Sequence, residues 1–170
     1  MKKIVAVTVL CITALPALAH DGEHAATELE NYFGISASKL TSGASSTGAA
    51  VTLGHRYDEY FAAEIAYEDT GAINATGERT TAYSAAGVGY LPLVEGLEAY
   101  GRLGYATANT KDTSGIKANH GGMTYGAGFE HKLNEKYSVA LGWDRLHIGD
   151  NVAIPRANED SYALTVLRKF

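Results

Sequence analysis

Residues 161–170 read SYALTVLRKF, and in an extended chain Tyr162, Leu164, Val166 and Phe170 fall on one side while Ala163, Thr165, Leu167 and Lys169 fall on the other. Alternation of this kind marks a strand with two unlike faces, since the apolar positions of an amphipathic helix recur about every 3.6 residues. Arg168 is the one charged break on the apolar side. A strand that closes the sequence on an aromatic residue needs a partner on each edge, and the first strand of a closed sheet would supply the missing one.

The same period runs back through the chain in NYFGISASKL (31–40), GAAVTLGHRY (48–57), YFAAEIAYED (60–69), TAYSAAGVGYLP (81–92), LEAYGRLGYATA (97–108), MTYGAGFEHKL (123–133) and KYSVALGWDRLH (136–147), making eight segments with the last. Each spans roughly 10 residues, the length a tilted strand needs to cross a bilayer, against about 5–6 in soluble sheets. The links alternate in length. DE (58–59), LVEG (93–96) and NE (134–135) are tight, whereas TSGASST (41–47), DTGAINATGER (69–79), NTKDTSGIKANHGG (109–122) and IGDNVAIPRANED (148–160) are long and polar. An up-and-down meander then puts the short links on one rim and the long ones on the other. The fold expected is all-β: an eight-stranded antiparallel up-and-down transmembrane β-barrel.

The faces support that choice over a soluble barrel, which would turn its apolar side inward. Phe61, Ala63, Ile65 and Tyr67 oppose Ala62, Glu64, Ala66 and Glu68; Tyr125, Ala127 and Phe129 oppose Thr124, Gly126, Gly128 and Glu130. Aromatic residues gather at two levels, Tyr57, Tyr90 and Phe129 near the short links and Tyr67, Tyr105 and Trp143 near the long ones. Two girdles of that kind suit two bilayer interfaces, where an amphipathic ring meets both apolar and wet neighbours. Within hydrocarbon an unpaired backbone N–H or C=O costs several kcal/mol, so a sheet spans only when its edges are closed.

Residues 1–19, MKKIVAVTVLCITALPALA, place two lysines before an apolar run and end on small-x-small Ala17-Leu18-Ala19, the pattern of a signal peptide. The domain plan expected is a signal peptide at 1–19, a short periplasmic segment at 20–30 and a barrel at 31–170. Cleavage removes the only cysteine, Cys11, so the mature chain can form no intramolecular disulfide. Loss of Lys2 and Lys3 takes the formal charge from −5 to −7, which gives no basic surface for nucleic acid.

Strand parity points Arg56, Glu64, Arg102, Glu130, Asp144 and Lys169 inward, three of each sign, with Glu98 near the short-link rim. Such charges are expected to pair as a polar plug, because an unpaired buried ion costs several kcal/mol. A narrow ion path is the alternative, although eight strands leave an interior largely filled by side chains.

In LGHRYDEYFAAEIAYEDTG (53–71), EAYGRLGYA (98–106) and YGAGFEHKLNEKYSVALGWDRL (125–146), the chain resembles the eight-stranded outer-membrane barrels of the outer membrane protein A transmembrane domain and the opacity-protein-like surface antigens. The resemblance covers about residues 31–170. It implies an outer-membrane location, contact with membrane lipid and lipopolysaccharide, and handling by the barrel-assembly machinery, whose signal it assigns to Phe170 with Tyr162, Leu164 and Val166. His55, His131 and Arg168 stand where that family usually has outward aromatic residues, and Ala140 and Gly142 replace inward charged ones. The family's interior ion-pair gate therefore does not transfer whole.

Other chemistry finds little support. A lipid A hydrolase needs a nucleophile, a base and an orienting group, and no Ser–His pairing stands out among His20, His24, His55, His120, His131 and His147. HDGEH (20–24) carries metal-ligating residue types but reads as a solvated terminus, and no phosphate loop, zinc set or calcium loop is present. No catalytic residue, cofactor or metal is expected. The role expected is structural or surface interaction through the long loops, whose charged residues include Lys111, Asp112, Lys117, Asp150, Arg156, Glu159 and Asp160; their ligand is unknown. Outward Arg145 is a candidate for lipopolysaccharide phosphate. A small channel and a soluble periplasmic ligand-binding barrel are the alternatives.

Overall fold

The computed structural model describes residues 30–41, 47–72, 79–111, 117–148 and 158–170. They form β1 (Glu30–Leu40), β2 (Thr47–Arg56), β3 (Phe61–Ala72), β4 (Arg79–Val94), β5 (Leu97–Lys111), β6 (Lys117–Lys132), β7 (Tyr137–Ile148) and β8 (Asn158–Lys169). Every neighbour in sequence pairs antiparallel, and β8 returns to β1 to close the barrel, with Phe33 opposite Arg168 and Leu40 opposite Ser161. No free edge remains along the wall, as hydrocarbon requires of a spanning sheet. The expected signal peptide at 1–19, HDGEH and much of the four long links, including Asp112, Asp150 and Arg156, lie outside the described residues.

Turn chemistry sets the short rim. In DE and NE, the side-chain oxygens of Asp58 and Asn134 accept the backbone N–H groups two and three residues on, Tyr60 and Phe61 at 2.7 Å, Lys136 and Tyr137 at 2.9 Å. The β4–β5 hairpin turns at Glu95-Gly96, where Gly96 takes a φ of 77° that a Cβ would disfavour. Pro92 fits within β4 for a related reason. Tyr90 N–H donates to Tyr60 O at 2.7 Å, so two residues on the Pro92 nitrogen faces the same side, past the end of the β3 ladder, where no acceptor awaits a proton.

The central strands outrun their apolar alternation. Alternation ends β5 at Ala108 and starts β6 at Met123, yet the ladder continues to Lys111 opposite Lys117. An antiparallel ladder propagates through polar residues in water because its bonds are backbone bonds; only the apolar signal stops at the membrane. The long link there is correspondingly shorter than its sequence suggested.

Two faces follow the pleat. Ile35, Val51, Leu53, Phe61, Ile65, Leu103, Tyr105, Met123, Phe129, Leu141, Leu164 and Val166 are all exposed on the outer wall, an apolar belt far larger than a water-soluble surface carries. One girdle assignment is corrected. Tyr57, Tyr67, Tyr105 and Phe129 are exposed outward, but Tyr90 is only 7% exposed and packs inside with Tyr32, Val88, Tyr100 and Leu167. The outer positions of β4 include Ala85, Gly87 and Gly89, so its two faces look alike in sequence and only parity with Val88 separates them.

Candidate functional site

The barrel interior is the part of the molecule where charge is concentrated out of bulk water. All six parity-assigned residues face it, but they do not join as one network. Near the turn end Arg56 is held by Glu98, with Nη1 donating to Oε2 at 3.0 Å and Nη2 to Oε1 at 3.1 Å. Its remaining donors reach the backbone oxygens of Asp58 and Glu59, and the guanidinium lies 4.1 Å from the centre of the Tyr90 ring. Lys132 adds a third hydrogen bond to Glu98 at 2.8 Å. Such a bidentate arginine, donating four hydrogen bonds, is among the stronger polar anchors available to a buried site.

Glu130 accepts from Ser138 Oγ at 2.7 Å, and Lys169 pairs with Glu30 at 2.7 Å. Higher in the barrel Arg102 lies between two acids, 3.3 Å from Asp144 and 3.9 Å from Glu64, while Glu64 also accepts from Tyr32 Oη at 2.7 Å. Glu68 faces the same space and accepts from Ser38 at 3.3 Å. The interior is therefore not balanced: among the described residues Arg56, Arg102, Lys132 and Lys169 face Glu30, Glu64, Glu68, Glu98, Glu130 and Asp144. Glu30, Lys132 and the pairing role of Glu98 escaped sequence reading because they sit at strand ends, where boundaries are hardest to place. Glu68 was legible from its parity with Glu64.

Among the described residues the interior includes three cavities. The largest, about 70 Å³, lies toward the loop end and is lined by Ser36, Ser38, Thr52, Glu64, Glu68 and Arg102 among others. That is room for a few waters among polar partners. Below it the cavities shrink to about 20 Å³ beside Tyr100 and Leu167 and about 10 Å³ beside Tyr32 and Arg56. Tyr32, Tyr90 and Tyr100 make this constriction, and glycines on facing strands make room for them. A Cβ at Gly54 would collide with the Tyr32 ring, and one at Gly142 with the Tyr100 hydroxyl. Gly142, which breaks the charged pattern of the resembled family, is thus the seat of an inward tyrosine.

On the outer wall Tyr162, Leu164, Val166 and Phe170 are all exposed on one face of the last strand and its end. At the loop end Arg145 is not available to an external phosphate in the way its sequence position suggested. Its Nε and Nη2 donate to both carboxylate oxygens of Asp160 at 2.6 and 2.7 Å, and it lies 5.3 Å from the Trp143 ring centre.

The chain matches the family model of the outer membrane protein beta-barrel domain over residues 5–170. No curated protein matches it. Among solved structures it is similar to the N-terminal β-barrel domain of OprF from Pseudomonas aeruginosa, at 15% identity and a TM-score of 0.65 over 83% of this chain and 97% of that one. Neisserial surface protein A is similar at 14% identity and a TM-score of 0.65 over 84% and 97%. Ail, the attachment invasion locus protein of Yersinia pestis, solved with the heparin analogue sucrose octasulfate, is similar at 14% identity and a TM-score of 0.53 over 84% and 99%. Identities this low speak for the fold alone. A family model spanning almost the whole chain, on a closed eight-strand wall with an apolar exterior, makes this chain a member of the outer membrane protein β-barrel domain family, resident in the outer membrane.

Proposed function

We propose that this chain is a non-conducting surface barrel: its three short turns face the periplasm, its four longer links face outward, and its rigid wall holds those links for contact with the cell's surroundings. The observation that carries this reading is the tyrosine constriction, where the interior shrinks to cavities of about 20 and 10 Å³, too small for a hydrated ion. A structural or surface-interaction role then falls to the wall and links, and an enzymatic role finds no support in the interior chemistry. The attachment protein Ail uses the same architecture, which makes a surface-contact role compatible with the fold. Tyr162, Leu164, Val166 and Phe170 form the face offered to the assembly machinery, and membrane lipid and lipopolysaccharide surround the apolar belt.

Single-channel recording on purified protein in planar bilayers tests the reading. Silence is the expected result for a barrel whose heat-modifiable gel mobility shows that it is folded. Discrete conductance steps from the folded wild-type protein would favour the small-channel alternative.

A further inference from the structure

Three polar side chains interrupt the apolar exterior at the turn end of β8, β1 and β2: Arg168, Asn31 and His55. Arg168 is exposed, pairs in register with Tyr137 on one side and Phe33 on the other, and has Val166 and Phe170 as its neighbours along the outer face. Asn31 lies two residues from Phe33, and its carbonyl accepts from Phe170 N–H at 2.9 Å. His55 stands opposite Asn31; its Nδ1–H donates to Asn31 Oδ1 at 2.9 Å, and its ring meets Tyr57 edge-on at 4.8 Å.

That hydrogen bond occupies the Asn31 acceptor and leaves its amide N–H groups to donate outward. Arg168 has no carboxylate partner among the described residues, and the outer faces of these three strands hold no acid in this half of the wall. Glu30, next to Asn31, turns to the other face and pairs with Lys169 at 2.7 Å, and the turns of this rim carry Asp58, whose Oδ1 caps its own turn, Glu59, and Glu135 beside Lys136. The outward donors of the patch are therefore the Arg168 fork and the Asn31 amide, inside a frame of Phe33, Tyr57, Tyr137 and Phe170. The opposite rim shows the contrast, because there Arg145 is neutralised by Asp160.

A guanidinium on a lipid-facing wall is costly without an anion, and an arginine near a strand end extends its stem along the wall until its head reaches the headgroup layer. The anion waiting at that depth is a lipid phosphate, which a guanidinium fork grips with two parallel hydrogen bonds. We propose that Arg168 and Asn31, its amide oriented by His55, form a binding site for the phosphate of a glycerophospholipid in the periplasmic leaflet, with the four aromatic side chains packing against its glycerol and upper acyl segments. The proposal rests on the membrane orientation given above.

Native mass spectrometry of protein purified from outer membranes in mild detergent, with phosphatidylglycerol added back, reads the site directly. Wild-type barrel is expected to keep bound phosphatidylglycerol through washing. Arg168→Gln should lower retention about tenfold, as loss of a charge-assisted hydrogen bond does, and Arg168→Lys, which keeps the charge and loses the fork, should fall between. Lys39→Gln, at the other rim, should retain as much as wild type, and lipopolysaccharide retention should be the same in all. A folded Arg168→Gln barrel that keeps its phosphatidylglycerol, an equal loss in Lys39→Gln, or a loss confined to lipopolysaccharide overturns the site. Wild-type protein that is water-soluble without detergent overturns the membrane orientation as well.

Discussion

Arg56 spends its donors on both oxygens of Glu98 and on two backbone carbonyls, whereas Arg102 meets Asp144 and Glu64 at 3.3 and 3.9 Å beside a cavity of about 70 Å³. The two arginines should therefore differ sharply in what their loss costs. Arg56→Ala leaves Glu98, whose side chain is 6% exposed, with Lys132 as its only cation among the described residues, and removing one partner of a buried pair costs about 3–5 kcal/mol. Arg102→Ala leaves acids beside a cavity with room for a few waters, and should cost less than Arg56→Ala. Trp143 is the single tryptophan, so urea unfolding in lipid vesicles followed by its fluorescence measures both. Equal destabilisation by the two variants would contradict the split between a dry anchor and a wet one. Parity placed both arginines inside, but their partners were not legible: Glu98 lies 42 residues from Arg56, and only the closed register brings them together.

At the scale of the strand, β8 carries two obligations, pairing with β1 and β7 on its edges and facing lipid with alternate side chains. Leu164 stands opposite Leu141 of β7 and Ala37 of β1, between the Trp143–Tyr162 level, two residues away, and the Tyr137–Arg168 level, four residues away. Leu164→Arg puts a charge near the middle of the hydrocarbon and should cost about 2–4 kcal/mol, while Thr165→Arg, one residue on and facing the interior, would fail for want of space. The native Arg168 shows the depth dependence, since the same side chain is tolerated four residues nearer the rim. Urea midpoints for Leu164→Arg should fall accordingly, and an unchanged midpoint would deny that this face meets hydrocarbon. Alternation made these strands readable where one face is large and the other small, as in β3 and β8. It was mute in β4, where Ala85, Gly87 and Gly89 lie outside and Ala82, Ser84 and Ala86 inside, and this is why Tyr90 was assigned to the wrong side. It also ended too early in β5 and β6, where the ladder continues in polar sequence.

For the whole molecule, the interior is graded from end to end. Toward the loops it is polar and holds its largest cavity beside Glu64, Glu68, Asp144 and Arg102; through the middle it is closed by Tyr32, Tyr90, Tyr100 and Leu167; at the turn end Glu98 ties Arg56 and Lys132 across the mouth. The seal and the charge are thus separate properties, and opening one should reveal the other. Replacing Tyr90 and Tyr100 together with serine removes two rings from the constriction while keeping every charged side chain, and should convert a silent barrel into one with small conductance steps. In a narrow passage with low-dielectric walls, an excess of carboxylates over cations favours cations. The reversal potential of the double variant in a salt gradient should therefore shift toward the cation, and adding Glu68→Gln and Asp144→Asn should reduce that shift. Anion preference would contradict the charge distribution in the upper interior. Silence from a folded double variant would show that the seal lies elsewhere than in the tyrosine layer.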